Sequence, residues 1–242
     1  MTLRDKDLMP SSAAVEIPAE YHHCCALLFD TSSSMDGAPI LNLNTALKSF
    51  KVKLEEKLDE LKYASDVCVI TFGKDGVTLV QDFVPLPKLE NHVLTADGVT
   101  PMIEAVRLAM DKVEQRKNMY KQGNTPYHRP WIFIFTDGAP TDEKGNLLDT
   151  DNDVNWLSLV RDFQEAYDGK HLSGYGVAVG SNANVNALAQ LVGKGRVFGI
   201  DECSFEAMFA FLVESMAVAT ISKGNSMPSI ALPSGVVMID MD

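Results

Sequence analysis

Two rhythms of apolar residues alternate along the chain, and each names a kind of element. Cys24 to Phe29 is a continuous apolar run that ends in Asp30. Apolar side chains on both faces predict a central strand of a covered sheet. From Ile40 to Lys62 the rhythm changes, with Leu43, Leu47, Phe50, Leu54, Leu58 and Leu61 recurring at three- and four-residue spacing. That spacing predicts an amphipathic helix whose charged residues, Lys51 and Glu55 among them, face water. Val67 to Phe72 is a second buried strand, closed by Gly73. Lys74-Asp75-Gly76 reads as a turn, and Val77 to Val84 alternates as the half-exposed return strand of a hairpin at the sheet edge. Pro85 and Pro87 end it.

The alternation continues to the C-terminal region. Thr100-Pro101 opens a helix, with Thr100 as its cap and Pro101 in its first turn, and Ile103, Val106, Met110 and Val113 mark its buried stripe. Polar residues from Gln115 to His128 read as a connection. Trp131 to Phe135 is a second central strand, ending in Thr136-Asp137-Gly138. A helix over Val154 to Tyr167, a strand over Leu172 to Val179, a short helix over Asn184 to Val192, a short strand over Val197 to Ile200 and a helix over Phe205 to Thr220 follow. The pattern predicts an α/β fold: a doubly wound (Rossmann-like), mostly parallel sheet with one antiparallel edge strand and helices on both faces. Residues 1–19 read as an N-terminal arm, 20–220 as the domain and 221–242 as a tail. The tail contains Pro228 and Pro233 and ends in Val236-Val237-Met238-Ile239. It reads either as a linker or as a segment docked on an edge or groove.

Charge and cysteine usage narrow the function. Acidic residues outnumber basic ones 33 to 21, a formal charge of -12, so nucleic acid and anionic membrane surfaces are disfavoured partners and cations are attracted. Cys24, Cys25, Cys68 and Cys203 lack the spacing of zinc or thioredoxin motifs and read as reduced, mostly buried thiols. Met1 to Glu20 has no apolar core of a signal peptide, and no apolar run reaches bilayer length. A cytoplasmic location is the expectation.

Three polar clusters fall at strand ends, where ligands of such sheets bind. They are Asp30-Thr31-Ser32-Ser33-Ser34, Thr100, and Asp137. Carboxylate and hydroxyl oxygens are hard ligands, suited to magnesium, calcium or manganese. Asp30, Ser32 and Ser34 are spaced by two, so a turning loop can aim them at one point. Three neutral hydroxyls and one or two carboxylates would leave such an ion net positive, and an open position would attract a partner's Asp or Glu carboxylate.

Asp30-x-Ser32-x-Ser34, Thr100 in Val99-Thr100-Pro101-Met102, and Asp137 in Thr136-Asp137-Gly138 resemble the metal-ion-dependent adhesion site of von Willebrand factor A (VWA) domains, in that family's order, over roughly residues 20–220. The resemblance implies that Ser32, Ser34 and Thr100 coordinate Mg2+ (or Mn2+ or Ca2+), that Asp30 and Asp137 hold it directly or through water, and that a protein partner supplies a carboxylate. A closer resemblance is to the bacterial tellurium-resistance TerY-type VWA proteins. It rests on Asp30–Met35 followed by Gly37-x-Pro39-Ile40, and on Arg129-Pro130-Trp131-Ile132-Phe133 leading into Thr136-Asp137-Gly138-x-Pro140-Thr141-Asp142. It implies a role in stress response, with a kinase or phosphatase as partner. Ser33 stands where many relatives have Gly.

Plainer readings stand beside these. Asp30 and Ser32 can cap a helix, and Thr100 can cap and bind at once. Asp149, Asp151 and Asp153 open like a calcium loop, but Val154 and Val160 stand where Gly and Glu are needed, so helix capping is expected. Asp142 and Glu143 read as surface or second-sphere acids. The five histidines show no ligand spacing and read as surface or satisfied structural groups. The leading function is a non-catalytic, metal-dependent protein-binding module. The alternative is a magnesium-dependent phosphohydrolase using Asp30, weakened because Ser32 stands where a leaving-group acid is needed.

Overall fold

Complete burial of consecutive residues is what shapes β1, His23–Thr31, in the computed structural model. The structure describes residues 21–61, 65–73, 75–221 and 230–241. The arm expected over 1–19, the turn residue Lys74, the 222–229 part of the tail, and the side chains of Leu54, Leu58 and Leu61 lie outside the described residues. Along β1, Cys25, Leu27 and Phe29 enter one apolar cluster while Cys24, Ala26 and Leu28 enter the other. The period-two pleat sends successive side chains to opposite faces, so both must be apolar.

Helices α1, Ala38–Leu61, and α5, Phe205–Ile221, cover the first face. Helices α2, Met102–Gln122, α3, Val154–Asp168, and α4, Val185–Val192, cover the second. Between these layers lie β2, Ser65–Gly73, β3, Gly76–Pro85, β4, Trp131–Thr136, β5, Ser173–Val179, β6, Val197–Ile200, and β7, Val236–Met238. The sheet order is β3-β2-β1-β4-β5-β6-β7, with β3 and β7 antiparallel to their neighbours and the other pairings parallel. Among the described residues no helix is long and apolar enough to cross a membrane.

Three details of the elements differ from the sequence reading. The sheet has two antiparallel edges rather than one, because Val236–Met238 of the tail pairs with β6. Four apolar residues, 236–239, behind two prolines give no periodicity to separate a strand from a linker. Helix α2 runs through residues 115–122, where a connection was expected. The polar residues there are its solvent face, and Lys117 and Tyr120 are buried on the inner side. Pro101, not Thr100, holds the cap position of α2. Cys203 is exposed, whereas Cys24, Cys25 and Cys68 are buried, and burial pushes the Cys68 thiol up to about 12.

The amino end of the sheet holds a charged cluster. Asp66 is 1% exposed. Arg116 Nη2 lies 2.7 Å from its Oδ2, Tyr120 donates to the same oxygen, and His22 Nδ1 is 3.7 Å away. Burial raises the Asp66 carboxyl, but these partners outweigh it and hold it below the usual range. The sequence reading expected a surface or satisfied histidine at His23, and the structure shows neither. His23 is fully buried, edge-on to Trp131 at 4.1 Å between centroids, with neither ring nitrogen hydrogen-bonded. Burial, reinforced by the His128 charge, lowers its pKa from the usual 6.5 to about 3.

His23 therefore folds neutral and charges on unfolding. Its contribution to stability is complete above about 6.5 and is lost as pH falls toward about 3. The depressed Asp66 adds in the same direction, being lost as pH falls through its folded value. Urea unfolding from pH 7 to pH 4 should show a fall on the order of 1 kcal/mol per pH unit from His23 alone. The variant His23→Phe should remove that part of the slope. An unchanged slope would show that His23 is not charged on acid unfolding.

Candidate metal centre

Parallel pairing of β1 with β4 reaches Phe29↔Phe135, so the next residues, Asp30 and Thr136, stand side by side at the carboxyl end of the sheet. Asp30 has no exposed surface. Thr136 Oγ1 donates to its Oδ2 at 2.5 Å, and the Ser32 amide donates to its Oδ1 at 2.8 Å. Thr136 Oγ1 also accepts from the Gly138 amide at 3.1 Å, which ties the turn after β4 to the Asp30 carboxylate.

After β1 the chain enters a short 3-10 turn at Ser33–Met35, and Ser32 precedes it in extended backbone without a capping side-chain bond. The Ser32 hydroxyl is thus left for the site. It lies 3.0 Å from Ser34 Oγ, which donates to Asp137 Oδ1 at 2.7 Å. The loop before α2 is stitched to this turn. Ser33 N donates to Gly98 O at 3.0 Å, Gly98 N to Ser33 Oγ at 2.8 Å, and Asp97 N to Thr31 O at 2.8 Å. Thr100 is clamped to the loop after β4: its amide donates to Thr141 Oγ1 at 2.9 Å, and Thr141 N donates to Thr100 O at 3.0 Å. With backbone alone so engaged, the Thr100 hydroxyl is free to point inward. A Cβ added at Gly138 would stand 3.7 Å from Ser34 Oγ, 3.7 Å from Thr100 Oγ1 and 3.9 Å from Asp30 Oδ2. Oxygens from the turn after β1 and from Thr100 therefore border one small space beside Gly138, and Ser32 and Asp137 join it through Ser34.

The electrostatics leave this space negative. Burial pushes the Asp30 carboxyl up to about 6, with hydrogen bonds from Thr136 and Ser32 opposing and the Asp137 charge adding. Burial likewise raises Asp137, with Glu202 adding. No Lys, Arg or His forms an ion pair with either carboxylate among the described residues. Nor do three His, Cys, Asp or Glu side chains converge anywhere among them. The donor set is two carboxylates and three hydroxyls. That chemistry fits a hard, oxygen-seeking divalent cation and does not fit a soft one.

All five residues singled out in the sequence come together. The other acids do not join them. Asp142 closes its own turn through Lys144 N and Asn146, Asp149 does so through Asp151 N and Asn152, and Asp153 caps α3 by accepting from Trp156 N. Sequence reasoning missed three supporting roles. Thr136 holds Asp30, Thr141 clamps Thr100, and Gly138 keeps the space clear. Thr136 was accessible in principle, because parallel strands ending together bring the residue after Phe135 beside Asp30.

A Cβ at Gly138 would meet its neighbours at ordinary contact distance, and Gly138 does not need a positive φ. Gly138→Ala should therefore keep its melting temperature in chelator. It should also lose cation affinity by about tenfold, because the methyl occupies space that the cation and its waters need. Calorimetric titration with Mg2+ checks this, and unchanged affinity would mean that the cation lies away from these oxygens.

No family model matches the sequence, and no curated protein matches it. Solved structures do. The pilus adhesin SpaC from Lactobacillus rhamnosus GG, in its open conformation, superposes with a TM-score of 0.61 at 13% identity, over 84% of this chain and 31% of that one. A von Willebrand factor type A protein from Catenulispora acidiphila gives 0.55 at 12% identity, over 81% and 43%. The SpRpn10 VWA domain gives 0.52 at 11% identity, over 78% and 95%. The chain thus spans less than half of the first two and most of the third. The shared architecture is that of VWA domains, and the seven-stranded sheet described above is a VWA-like α/β fold.

Proposed function

We propose that the protein is a non-catalytic, divalent-metal-dependent protein-binding module. The observation that carries this reading is the set of Asp30, Ser34 and Thr100 oxygens around the space beside Gly138, next to two carboxylates with no cationic partner among the described residues. Ser32, Ser34 and Thr100 would hold Mg2+ (or Mn2+ or Ca2+), with Asp30 and Asp137 bonded to it or to its waters. The bound ion would supply an open, positively charged position for a partner's Asp or Glu carboxylate. Within the chain, Thr136 and the Ser32 amide orient Asp30, while the Thr141 clamp sets the depth of the Thr100 hydroxyl.

Partner class rests on resemblance. A pilus adhesin is among the structural neighbours, which agrees with a binding role. The likeness of the Asp30–Ile40 and Arg129–Asp142 segments to TerY-type proteins points to a kinase or phosphatase partner, in tellurium resistance or a related stress response, inside the cytoplasm. Phosphohydrolase chemistry is disfavoured. Both Asp30 oxygens already accept hydrogen bonds, the side chain is buried, and Ser32 is a poor general acid.

The test is a pull-down from native lysate with wild type and Ser32→Ala, each with Mg2+ and with chelator. Partners should be retained by wild type with Mg2+ alone. Equal recovery in all four lanes would place the contacts elsewhere. Asp30→Asn should keep circular dichroism unchanged, yet lose the thermal stabilisation that Mg2+ gives wild type. That stabilisation is about 2.7 kcal/mol at a hundredfold excess over Kd. Neither protein should turn over a generic phosphate ester with Mg2+, and turnover that requires Asp30 would favour the hydrolase.

A further inference from the structure

The two edges of the sheet are protected by different means. At β3 the pairing with β2 shifts register twice, between Val67 and Val69 and between Val69 and Ile70, and the strand carries Gln81, Asp82 and Pro85. Irregular pairing, charge and proline discourage a further strand. The β6 sequence is Val-Phe-Gly-Ile, with no charge and no proline. Among the described residues its outer edge is covered by β7 alone.

That cover is fitted but short. Phe198, Gly199 and Ile200 pair with Met238, Val237 and Val236, and Ile239 N donates to Val197 O at 2.9 Å. Gly199 leaves the space the segment needs: a Cβ there would stand 3.1 Å from Val237 Cγ2 and 3.2 Å from Ile239 Cδ1. The segment grips both faces. Val236, 4% exposed, enters the cluster under α1 and α5, while Ile239 and Met241 pack against the opposite cluster. Gly235, at φ +85°, sets the approach. Against this, Val237 is 58% exposed and Met238 42%. A three-residue strand with two exposed side chains opens at lower free energy than a central one. Once open, it bares the backbone groups of an apolar, uncharged edge.

We propose that the β6 edge is a strand-acceptor surface for an extended apolar segment, filled by the chain's own residues 230–241 and exchangeable with the same segment of a second copy. Every copy carries both halves, so exchange reproduces the contacts described above in a closed pair. Tethering gives the chain's own segment the advantage of a high effective concentration. Exchange is therefore favoured by protein concentration and by weakening of the tethered segment.

The experiment uses the full chain and a fluorescein-labelled synthetic peptide of residues 230–241, with binding read by anisotropy and self-association by light scattering. Ile239→Asp weakens the tethered segment and should bind the peptide about tenfold more tightly than wild type. Adding Gly199→Val should abolish that binding. Wild type should form a dimer as concentration rises, and Gly199→Val should remain monomeric. A folded Ile239→Asp chain that fails to bind, binding that survives Gly199→Val, or a wild type that is monomeric throughout would each overturn the proposal. Should Ile239→Asp not fold, hydrogen exchange on wild type decides. The Ile239 amide should exchange about a hundredfold faster than that of Phe133, and equal protection would overturn the proposal.

Discussion

Asp30 sits without solvent exposure at the end of the central strand, held by one hydroxyl and one amide. Burying a carboxylate is unfavourable, and its pKa of about 6 records that. The arrangement persists because β1 and β4 end together, bringing Thr136 within reach, and because the chain turns at once so that the Ser32 amide faces back. The two other segments are fixed relative to this point. Ser34 reaches Asp137, and Thr141 secures Thr100.

The two ends of the sheet treat a buried carboxylate in opposite ways. At the amino end, Asp66 has a guanidinium and a phenol hydroxyl, and the result is a depressed pKa. At the carboxyl end, Asp30 and Asp137 are raised and, among the described residues, have only hydroxyl and amide donors. A charge answered within the chain serves structure. A charge left unanswered is where a cation from outside would lower the free energy most. Burial with a raised pKa separates the candidate site from surface acids such as Asp142 and Asp149, whose amide donors hold them below the usual range.

Much of this was legible in the residues because two strong signals coincided. Continuous apolar runs identified β1 and β4 as central, and polar residues immediately after each run marked the strand ends. Asp30, Ser32, Ser34 and Asp137 follow from that placement as candidates, and Thr100 from the helix start at Pro101 together with the VWA resemblance. What was not legible depended on tertiary context. The helical stretch 115–122 is polar in sequence because its buried face uses Lys117 and Tyr120, whose polar ends reach Glu114 and Asp66. The β7 strand is too short to show periodicity, and it pairs with β6 where Gly199 leaves it room. His23 looked unremarkable because nothing in its sequence neighbourhood reveals that both ring nitrogens are buried without partners.

The most direct measurement is anomalous diffraction from crystals grown with Mn2+. The account predicts one strong peak about 2.1 Å from the Ser32 and Ser34 hydroxyl oxygens, within reach of Thr100 and Asp137. A peak at Asp142 or Asp149 instead, or no peak beside Gly138 at saturating Mn2+, would contradict it.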